Sequence, residues 1–165
     1  MNKALFLDRD GTINVDTGYV YKVSDFQFIE GVIDFCRLAQ KKGYKIIVIT
    51  NQSGIARGYF SEKEYQEITK YMCDEFKKQG VVITDVFHCP ELSGPDRKPE
   101  PGLFLKAEKK YNLNMKKCIS IGDKERDIQA ALTAGIGRNY LLNSIPTETK
   151  ATQKISSFKE IEKFL

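Results

Sequence analysis

The 165-residue sequence has no long hydrophobic run, no clustered basic stretch and no closely paired cysteines. No apolar stretch approaches the roughly 18 residues of a membrane-spanning helix, so a membrane span is not expected. The N-terminus enters a strand-like segment at once, with no charged stretch leading into an apolar one, so no secretory signal is predicted. The expected location is therefore the cytoplasm.

The cysteines and the positive charges are scattered along the chain. Cys36, Cys73, Cys89 and Cys118 form no CxxC pair and lie in apolar or helical contexts, which predicts reduced core thiols. The net charge is only +4, and the lysine pairs are typical of solvated helix faces. A nucleic-acid-binding surface is not predicted. A mild positive field can still attract an anionic small molecule.

The order of segments predicts an α/β fold. Strand-like and helix-like segments alternate, which favours a Rossmann-like parallel sheet with helices on both faces. The length predicts one domain over residues 1–165, and no repeat, low-complexity tract or linker divides it. The small size and the absence of a large cap insertion predict a monomer.

Residue patterns give the approximate bounds of the elements. The capping box of Ser61 and Glu64 predicts one helix start, Gly43 and Gly80 predict helix ends, and Ser156 or Ser157 is expected to cap the last helix. The predicted strands cover residues 3–7, 45–49, 81–87, 118–121 and 139–142. The predicted helices cover residues 31–42, 61–79, 101–111, 125–134 and 158–165.

A polar cluster follows each of the first four predicted strands. Because the carboxyl ends of parallel strands meet at one edge of a sheet, the four clusters are expected to converge there. Together they contain a hydroxyl donor, a fixed cation and several carboxylates, which suits a phosphate and a hard metal ion. The clusters cover residues 8–12, 50–54, 97–99 and 122–127.

Charge suggests a role for each polar side chain. Mg²⁺ usually takes only one or two carboxylates, which Asp8 and Asp123 can supply. Lys98 and the metal would offset the charge of a phosphate, and Thr50 can bind a phosphoryl oxygen. Asp10 lies two positions after Asp8. It is placed to protonate a leaving alkoxide and then to deprotonate water. Taken alone, the two aspartates also fit an Asp-rich turn.

The four motifs in this order resemble the haloacid dehalogenase superfamily of phosphatases. The matching features are DxDGT, a hydroxyl residue after the second strand, a lysine and a final GDxxxD. The resemblance implies that Asp8 is a nucleophile that forms an aspartyl-phosphate and that Asp10 is the general acid/base. It also implies that Thr50 and Lys98 steady the phosphoryl group. The implied Mg²⁺ ligands are Asp8, the backbone carbonyl of Asp10 and Asp123, with Asp127 nearby or one layer further out.

Longer stretches resemble the D-glycero-D-manno-heptose 1,7-bisphosphate phosphatases. They cover residues 6–20, 50–60, 97–102 and 121–131. This resemblance implies hydrolysis of the 7-phosphate of a sugar bisphosphate, which leaves heptose 1-phosphate for the synthesis of nucleotide-activated heptose. Arg97 would then recognise the distal phosphate, because its guanidinium offers a bidentate fork, although a solvated loop charge is the alternative. The other implied substrate contacts are Asp16, Thr17, Gly18, Tyr19, Asn51, Gln52, Ser53 and Lys124.

The loop after the third strand departs from that family. Many members hold a structural zinc there with a Cys-x-His and a Cys-x-Cys pair, whereas this chain has Glu91 in place of the histidine and lacks the second pair. A closed tetrahedral site needs four ligands, so no zinc is predicted. His88, adjacent to Cys89, is expected to pack or to form a hydrogen bond at the strand end.

Three alternatives remain at this point. A histidinol-phosphatase shares the catalytic aspartates and the RKP segment, but its substrate has a single phosphate. A non-catalytic module of the same fold would be expected to lack Asp8 or Asp10, and both are present. A nucleic-acid 3′-phosphatase also uses this fold, but the sequence shows no aromatic and basic groove.

Overall fold

Six parallel strands form one sheet in a computed structural model that describes residues 1–143 and 145–165. The strand order is β3-β2-β1-β4-β5-β6, and every neighbouring pair is parallel. The predicted α/β class is therefore confirmed. The strands are β1 Lys3–Leu7, β2 Tyr44–Asn51, β3 Ile83–Cys89, β4 Ile119–Gly122, β5 Arg138–Leu142 and β6 Gln153–Ile155.

Helices cover both faces of the sheet. They are α1 Val32–Lys41, α2 Glu62–Lys78, α3 Gly102–Tyr111 and α4 Glu125–Thr133, with short 3₁₀ turns at Val23–Asp25, Met115–Lys117 and Phe158–Phe164. Side chains alternate along β1, because strand residues point to opposite faces. Leu5 and Leu7 join the core under α1 and α2. Ala4 and Phe6 join the core under α3 and α4.

The helix boundaries follow local chemistry. Ser61 and Glu64 form the expected capping box at the start of α2. At its end, the Gly80 N–H donates to Lys77 O and the Val81 N–H donates to Phe76 O, each at 3.0 Å, which is the Schellman pattern. Val81 thus belongs to the end of α2, and β3 begins later than predicted, at Ile83.

Two features of the C-terminal region differ from the prediction. The strand β6 was not predicted, because it has three residues and only Ile155 is buried. The last helix begins after Ser157, which is one of the two predicted capping residues, but it is a 3₁₀ helix.

In the described part of the chain, no helix is both long and apolar enough to cross a membrane. All four cysteines lie in described segments as free thiols; Cys36, Cys89 and Cys118 are buried, and Cys73 is only partly buried.

The side of the sheet on which the chain adds its next strands changes at β1. From β1 the chain builds β2 and β3 on one side, then returns to place β4 on the other side. Open α/β sheets bind ligands at the carboxyl ends of the strands next to such a switch point. A ligand site is therefore expected at the residues that follow β1 and β4.

Candidate active site

A buried lysine joins two carboxylates at the carboxyl end of the sheet. Asp8 directly follows β1, Lys98 comes from the segment after β3, and Asp127 lies in the first turn of α4. The Lys98 Nζ lies 2.9 Å from Asp8 Oδ1 and 2.7 Å from Asp127 Oδ1. It also donates to the carbonyl of Ile49 at 2.8 Å. With only 2% of its side chain exposed, Lys98 is held as a fixed internal cation.

Burial and neighbouring charges shift the titration of this cluster. Burial raises the pKa of Asp8 well above its usual range, the Asp127 carboxylate raises it further, and Lys98 opposes both. Burial alone would lower the pKa of Lys98, but the carboxylates of Asp127 and Asp8 outweigh it and raise that pKa. Burial and Asp127 also raise the pKa of Asp123. The site therefore has more negative charge than one lysine neutralises, so it favours a bound cation.

The donor set fits a hard divalent cation. Asp8, Asp123 and Asp127 each offer an oxygen within 4.8 Å of the other two. The Asp127 carboxylate is already engaged, since Oδ2 accepts the Lys124 N–H at 3.0 Å and Oδ1 faces Lys98. Asp123 Oδ1 is buried, and in residues 1–143 and 145–165 it finds no hydrogen-bond donor. Asp8 and Asp123 can supply the one or two carboxylates through which Mg²⁺ is usually bound in proteins.

Asp10 is held in place by hydrogen bonds to both oxygens. Oδ1 accepts from Arg9 Nη2 at 2.9 Å and from Asn14 Nδ2 at 3.0 Å, and Oδ2 accepts from Gln52 Nε2 at 3.0 Å. Arg9 is only 1% exposed, and its Nη2 also donates to the carbonyl of Val20 at 2.5 Å. The carboxylate of Asp10 is therefore fixed in direction, while 22% of its side chain stays open to a substrate.

One cavity of about 310 Å³ brings most of the predicted site residues together. Thr17 and Thr50 are not among its lining residues; Thr17 is exposed, and Thr50 is buried with its Oγ1 accepting from Gln52 Nε2 at 2.9 Å. Thr50 thus supports Gln52. The predicted residues that line the cavity are Asp8, Asp10, Asp16, Gly18, Tyr19, Asn51, Gln52, Ser53, Arg97, Lys98, Asp123 and Lys124, and Asp127 joins them.

The loop from Asp16 to Tyr19 forms part of the cavity mouth. Asp16 Oδ1 accepts the Gly18 N–H at 3.0 Å, and both Gly18 and Tyr19 have positive φ, at 88° and 48°. A positive φ is uncommon for a bulky residue such as tyrosine. The Tyr19 ring meets the Tyr59 ring edge-on at 4.8 Å, so the loop after β1 contacts the loop after β2.

Comparison with known proteins assigns this arrangement to a family. A family model described as "Polynucleotide kinase 3 phosphatase" matches residues 3–156. A protein of Campylobacter jejuni, named D-glycero-alpha-D-manno-heptose-1,7-bisphosphate 7-phosphatase, is 45% identical over 98% of this chain and 95% of its own. The chain belongs to the family of D-glycero-D-manno-heptose 1,7-bisphosphate phosphatases. A Helicobacter pylori relative, named for the beta anomer of the same sugar, is 41% identical over 97% of this chain and 95% of its own.

Solved structures support the same family. The structure of a D,D-heptose 1.7-bisphosphate phosphatase from B. bronchiseptica, complexed with magnesium and phosphate, has a TM-score of 0.85 and 25% identity over 98% of this chain and 97% of that one. The fold is that of the haloacid dehalogenase superfamily of phosphatases. The resemblance on which the sequence interpretation depended is therefore confirmed.

His88 and Cys89 are the last two residues of β3. His88 Nε2 lies 2.8 Å from Glu62 Oε1, and its ring packs on Tyr65 with 4.1 Å between centroids. Cys89 is buried. His88 therefore packs and bonds at the strand end, as predicted. The expectation of no zinc stays a prediction.

The sequence interpretation did not single out four side chains of the site. Arg9 and Asn14 fix Asp10, and Arg57 and Arg126 line the cavity. Arg57 falls in a stretch that resembles the family, but nothing in its spacing marks it as a contact residue. Arg9 stands between two aspartates, so its sequence context suggests a solvated loop charge.

Proposed function

We propose that this protein is a Mg²⁺-dependent phosphatase that removes the 7-phosphate of D-glycero-D-manno-heptose 1,7-bisphosphate. The observation that carries the proposal is one cavity that holds the buried Asp8–Lys98 pair together with a second cation, Arg97. A bisphosphate needs positive charge at two points, and this cavity offers both. The names of the relatives support the same substrate.

Asp8 and Asp10 divide the chemistry between them. An Asp8 carboxylate oxygen attacks the 7-phosphorus, the bond from phosphorus to the sugar oxygen breaks, and an aspartyl-phosphate forms. Asp10 gives its proton to the departing sugar alkoxide and then takes a proton from the attacking water. That water displaces Asp8 and releases inorganic phosphate. The hydrogen bonds from Arg9, Asn14 and Gln52 keep the Asp10 carboxyl directed at this path.

Asp8, the backbone carbonyl of Asp10 and Asp123 would hold Mg²⁺. The bound ion supplies positive charge beside the reacting phosphoryl group, which lets a carboxylate approach it. Lys98 binds the phosphoryl group and holds Asp8 in line, while Asp127 keeps Lys98 in position. Thr50 supports this cradle through Gln52.

The substrate ring lies between the reacting centre and the cavity mouth. Arg97 binds the distal phosphate with its guanidinium fork. The remaining contacts are assigned to Asp16, Gly18, Tyr19, Asn51, Gln52, Ser53 and Lys124. Thr17 lies on the same loop but does not line the cavity. The product is heptose 1-phosphate, an intermediate for nucleotide-activated heptose. We further propose that the protein acts as a single-domain monomer in the cytoplasm.

Phosphate release from defined substrates tests this function. Purified protein with Mg²⁺ is offered the alpha and beta anomers of the heptose bisphosphate, histidinol phosphate and a 3′-phosphorylated oligonucleotide. We expect one heptose anomer to be hydrolysed with by far the highest kcat/KM, and EDTA to abolish that activity. A higher kcat/KM for histidinol phosphate or for the oligonucleotide would overturn the proposal.

Replacing Arg97 should separate the two phosphates. Arg97→Ala is expected to lower kcat/KM for the heptose bisphosphate by about 10- to 100-fold, because charge-assisted hydrogen bonds to the distal phosphate are lost. Hydrolysis of p-nitrophenyl phosphate, which has no second phosphate, should change little. Steady-state kinetics on both substrates gives the answer. Equal losses on both would contradict a role in distal-phosphate recognition.

Gly11 allows the Asp10 loop to approach Asp123. A Cβ at Gly11 would lie 2.2 Å from Asp123 Oδ2. We expect Gly11→Ala to displace the Asp123 carboxylate and to raise the Mg²⁺ concentration for half-maximal rate by about 10- to 100-fold. Gly31→Ala is the control, since Gly11 and Gly31 have similar φ values of 83° and 82° but a Cβ at Gly31 meets no atom within 4 Å. A similar Mg²⁺ requirement in both variants would contradict this role.

A further inference from the structure

The cavity has two walls of different charge. Strands β2 and β3 lie on one side of β1, and β4 lies on the other. We call the cavity-lining residues at the end of β2 and in the segments after β2 and β3 the β2–β3 wall; they are Asn51, Gln52, Ser53, Gly54, Arg57, Arg97 and Lys98. The β4 wall consists of Asp123, Lys124, Arg126 and Asp127. The residues after β1 that line the cavity add the carboxylates of Asp8, Asp10 and Asp16. Within the described residues, carboxylates thus occur on the β4 wall and after β1, and the β2–β3 wall has none.

Hydrogen bonds make the β2–β3 wall one unit. The Gln52 N–H donates to Cys89 O at 2.8 Å, and the Ala56 N–H donates to Pro90 O at 3.3 Å. The Asn51 Nδ2 donates to Lys98 O at 3.0 Å, and the Lys98 backbone N–H donates to Asn51 Oδ1 at 3.1 Å. These bonds seat the loop after β2 on the segment that leads to Arg97.

Arg57 follows Ala56 directly and therefore lies on the same wall as Arg97. Its backbone is fixed, because the Arg57 N–H donates to Ser53 O at 3.0 Å and the Gly58 N–H donates to Ile55 O at 3.1 Å. Across residues 1–143 and 145–165, the Arg57 guanidinium forms no ion pair and no side-chain hydrogen bond. All of its donors are thus available to a ligand.

The charges select where a second phosphate can bind. A dianion at the β4 wall would meet the carboxylates of Asp123 and Asp127, and Lys124 there already lies 3.6 Å from Asp123 Oδ2. On the β2–β3 wall, Arg97 gives one donor, Nη1, to Glu91 O at 3.3 Å and keeps the others free. Two guanidinium groups on one wall repel each other, and a phosphate dianion between them would relieve that repulsion.

We propose that Arg57 binds the distal phosphate of the substrate together with Arg97, so that the two arginines form a clamp on the β2–β3 wall. This inference rests on the proposed function and names a specificity-determining residue for it. Arg57 does not contact the reacting phosphoryl group, which is held by Lys98 at the base of the cavity. Its contribution is confined to substrates that carry a second phosphate.

The test compares two arginines of the same cavity. Arg57→Ala should lower kcat/KM for the heptose bisphosphate by about 10- to 100-fold, mainly through KM, and leave kcat/KM for p-nitrophenyl phosphate within about 2-fold. Arg57→Lys should lose less, because it keeps the charge without the fork. Arg126→Ala, which removes the same charge from the β4 wall, should retain most of the preference for the bisphosphate.

Each outcome separates the clamp from the proposed function. If the wild-type protein has no preference for the bisphosphate over p-nitrophenyl phosphate, the proposed function fails, and the clamp with it. If the wild type has that preference and Arg57→Ala retains it, only the clamp is wrong. Loss of the preference in Arg126→Ala instead of Arg57→Ala would place the distal phosphate on the β4 wall and would also overturn the clamp.

Discussion

Asp8→Asn should lower phosphate release from the heptose bisphosphate by about 10⁴-fold or more, since an amide cannot attack phosphorus. The protein should remain folded, and its melting temperature in EDTA should rise. Burial and the Asp127 carboxylate both raise the pKa of Asp8. The ionised form of Asp8 therefore destabilises the folded protein. Asparagine has nearly the same shape and removes that negative charge.

The dependence of stability on pH gives the sign of the effect of Asp8→Asn. A folded-state pKa above the unfolded value means that Asp8 contributes most to stability below its ordinary pKa, and that this contribution is lost as pH rises through the raised pKa. Melting temperatures of wild type and Asp8→Asn, measured against pH in EDTA, should therefore diverge in favour of the variant as pH rises. Asp25→Asn, an exposed change outside the cavity, is the control for altered net charge. Retained hydrolysis by Asp8→Asn would eliminate Asp8 as the nucleophile.

The elements that surround the site could be predicted from the sequence because their patterns are local. β1 and β2 are apolar runs that are buried on both faces, and each ends at a polar cluster. Ser61 with Glu64 marks the start of α2, and Gly80 marks its end. Parallel pairing then brings the clusters to one edge, so Asp8, Lys98 and Asp123 could be placed together although about 115 residues separate the first from the last.

The support around the catalytic groups could not be predicted in the same way. Arg9 is buried and donates to the carbonyl of Val20, and no spacing in the sequence indicates that contact. Thr50 lies in the expected cluster, yet its Oγ1 accepts a hydrogen bond from Gln52 Nε2 and donates to Asn51 O. Arg57 gains its place from hydrogen bonds between two loops. Such contacts depend on loop geometry, which local residue patterns do not specify.

Lys98→Met should lower both activity and stability. Lys98 is the cation between Asp8 and Asp127, and methionine keeps the length of the side chain without its charge. Removing one partner of a buried ion pair costs about 3–5 kcal/mol of unfolding free energy, because the other charges are left uncompensated. Loss of the phosphoryl contact should reduce kcat by about 10²- to 10³-fold. Denaturant unfolding in EDTA and steady-state kinetics measure the two effects.

Lys124→Met provides the matched control for stability. Lys124 pairs with Asp123 at 3.6 Å, but 53% of its side chain is exposed, so the loss should be below about 1 kcal/mol. Similar losses in both lysine variants would show that Lys98 does not compensate the buried carboxylates. Asp8→Asn and Lys98→Met should both remove activity, yet we expect them to shift the free energy of unfolding in opposite directions. General damage to the fold cannot produce that pair of results, because it would lower stability in both variants; only a site with excess negative charge around one lysine does so.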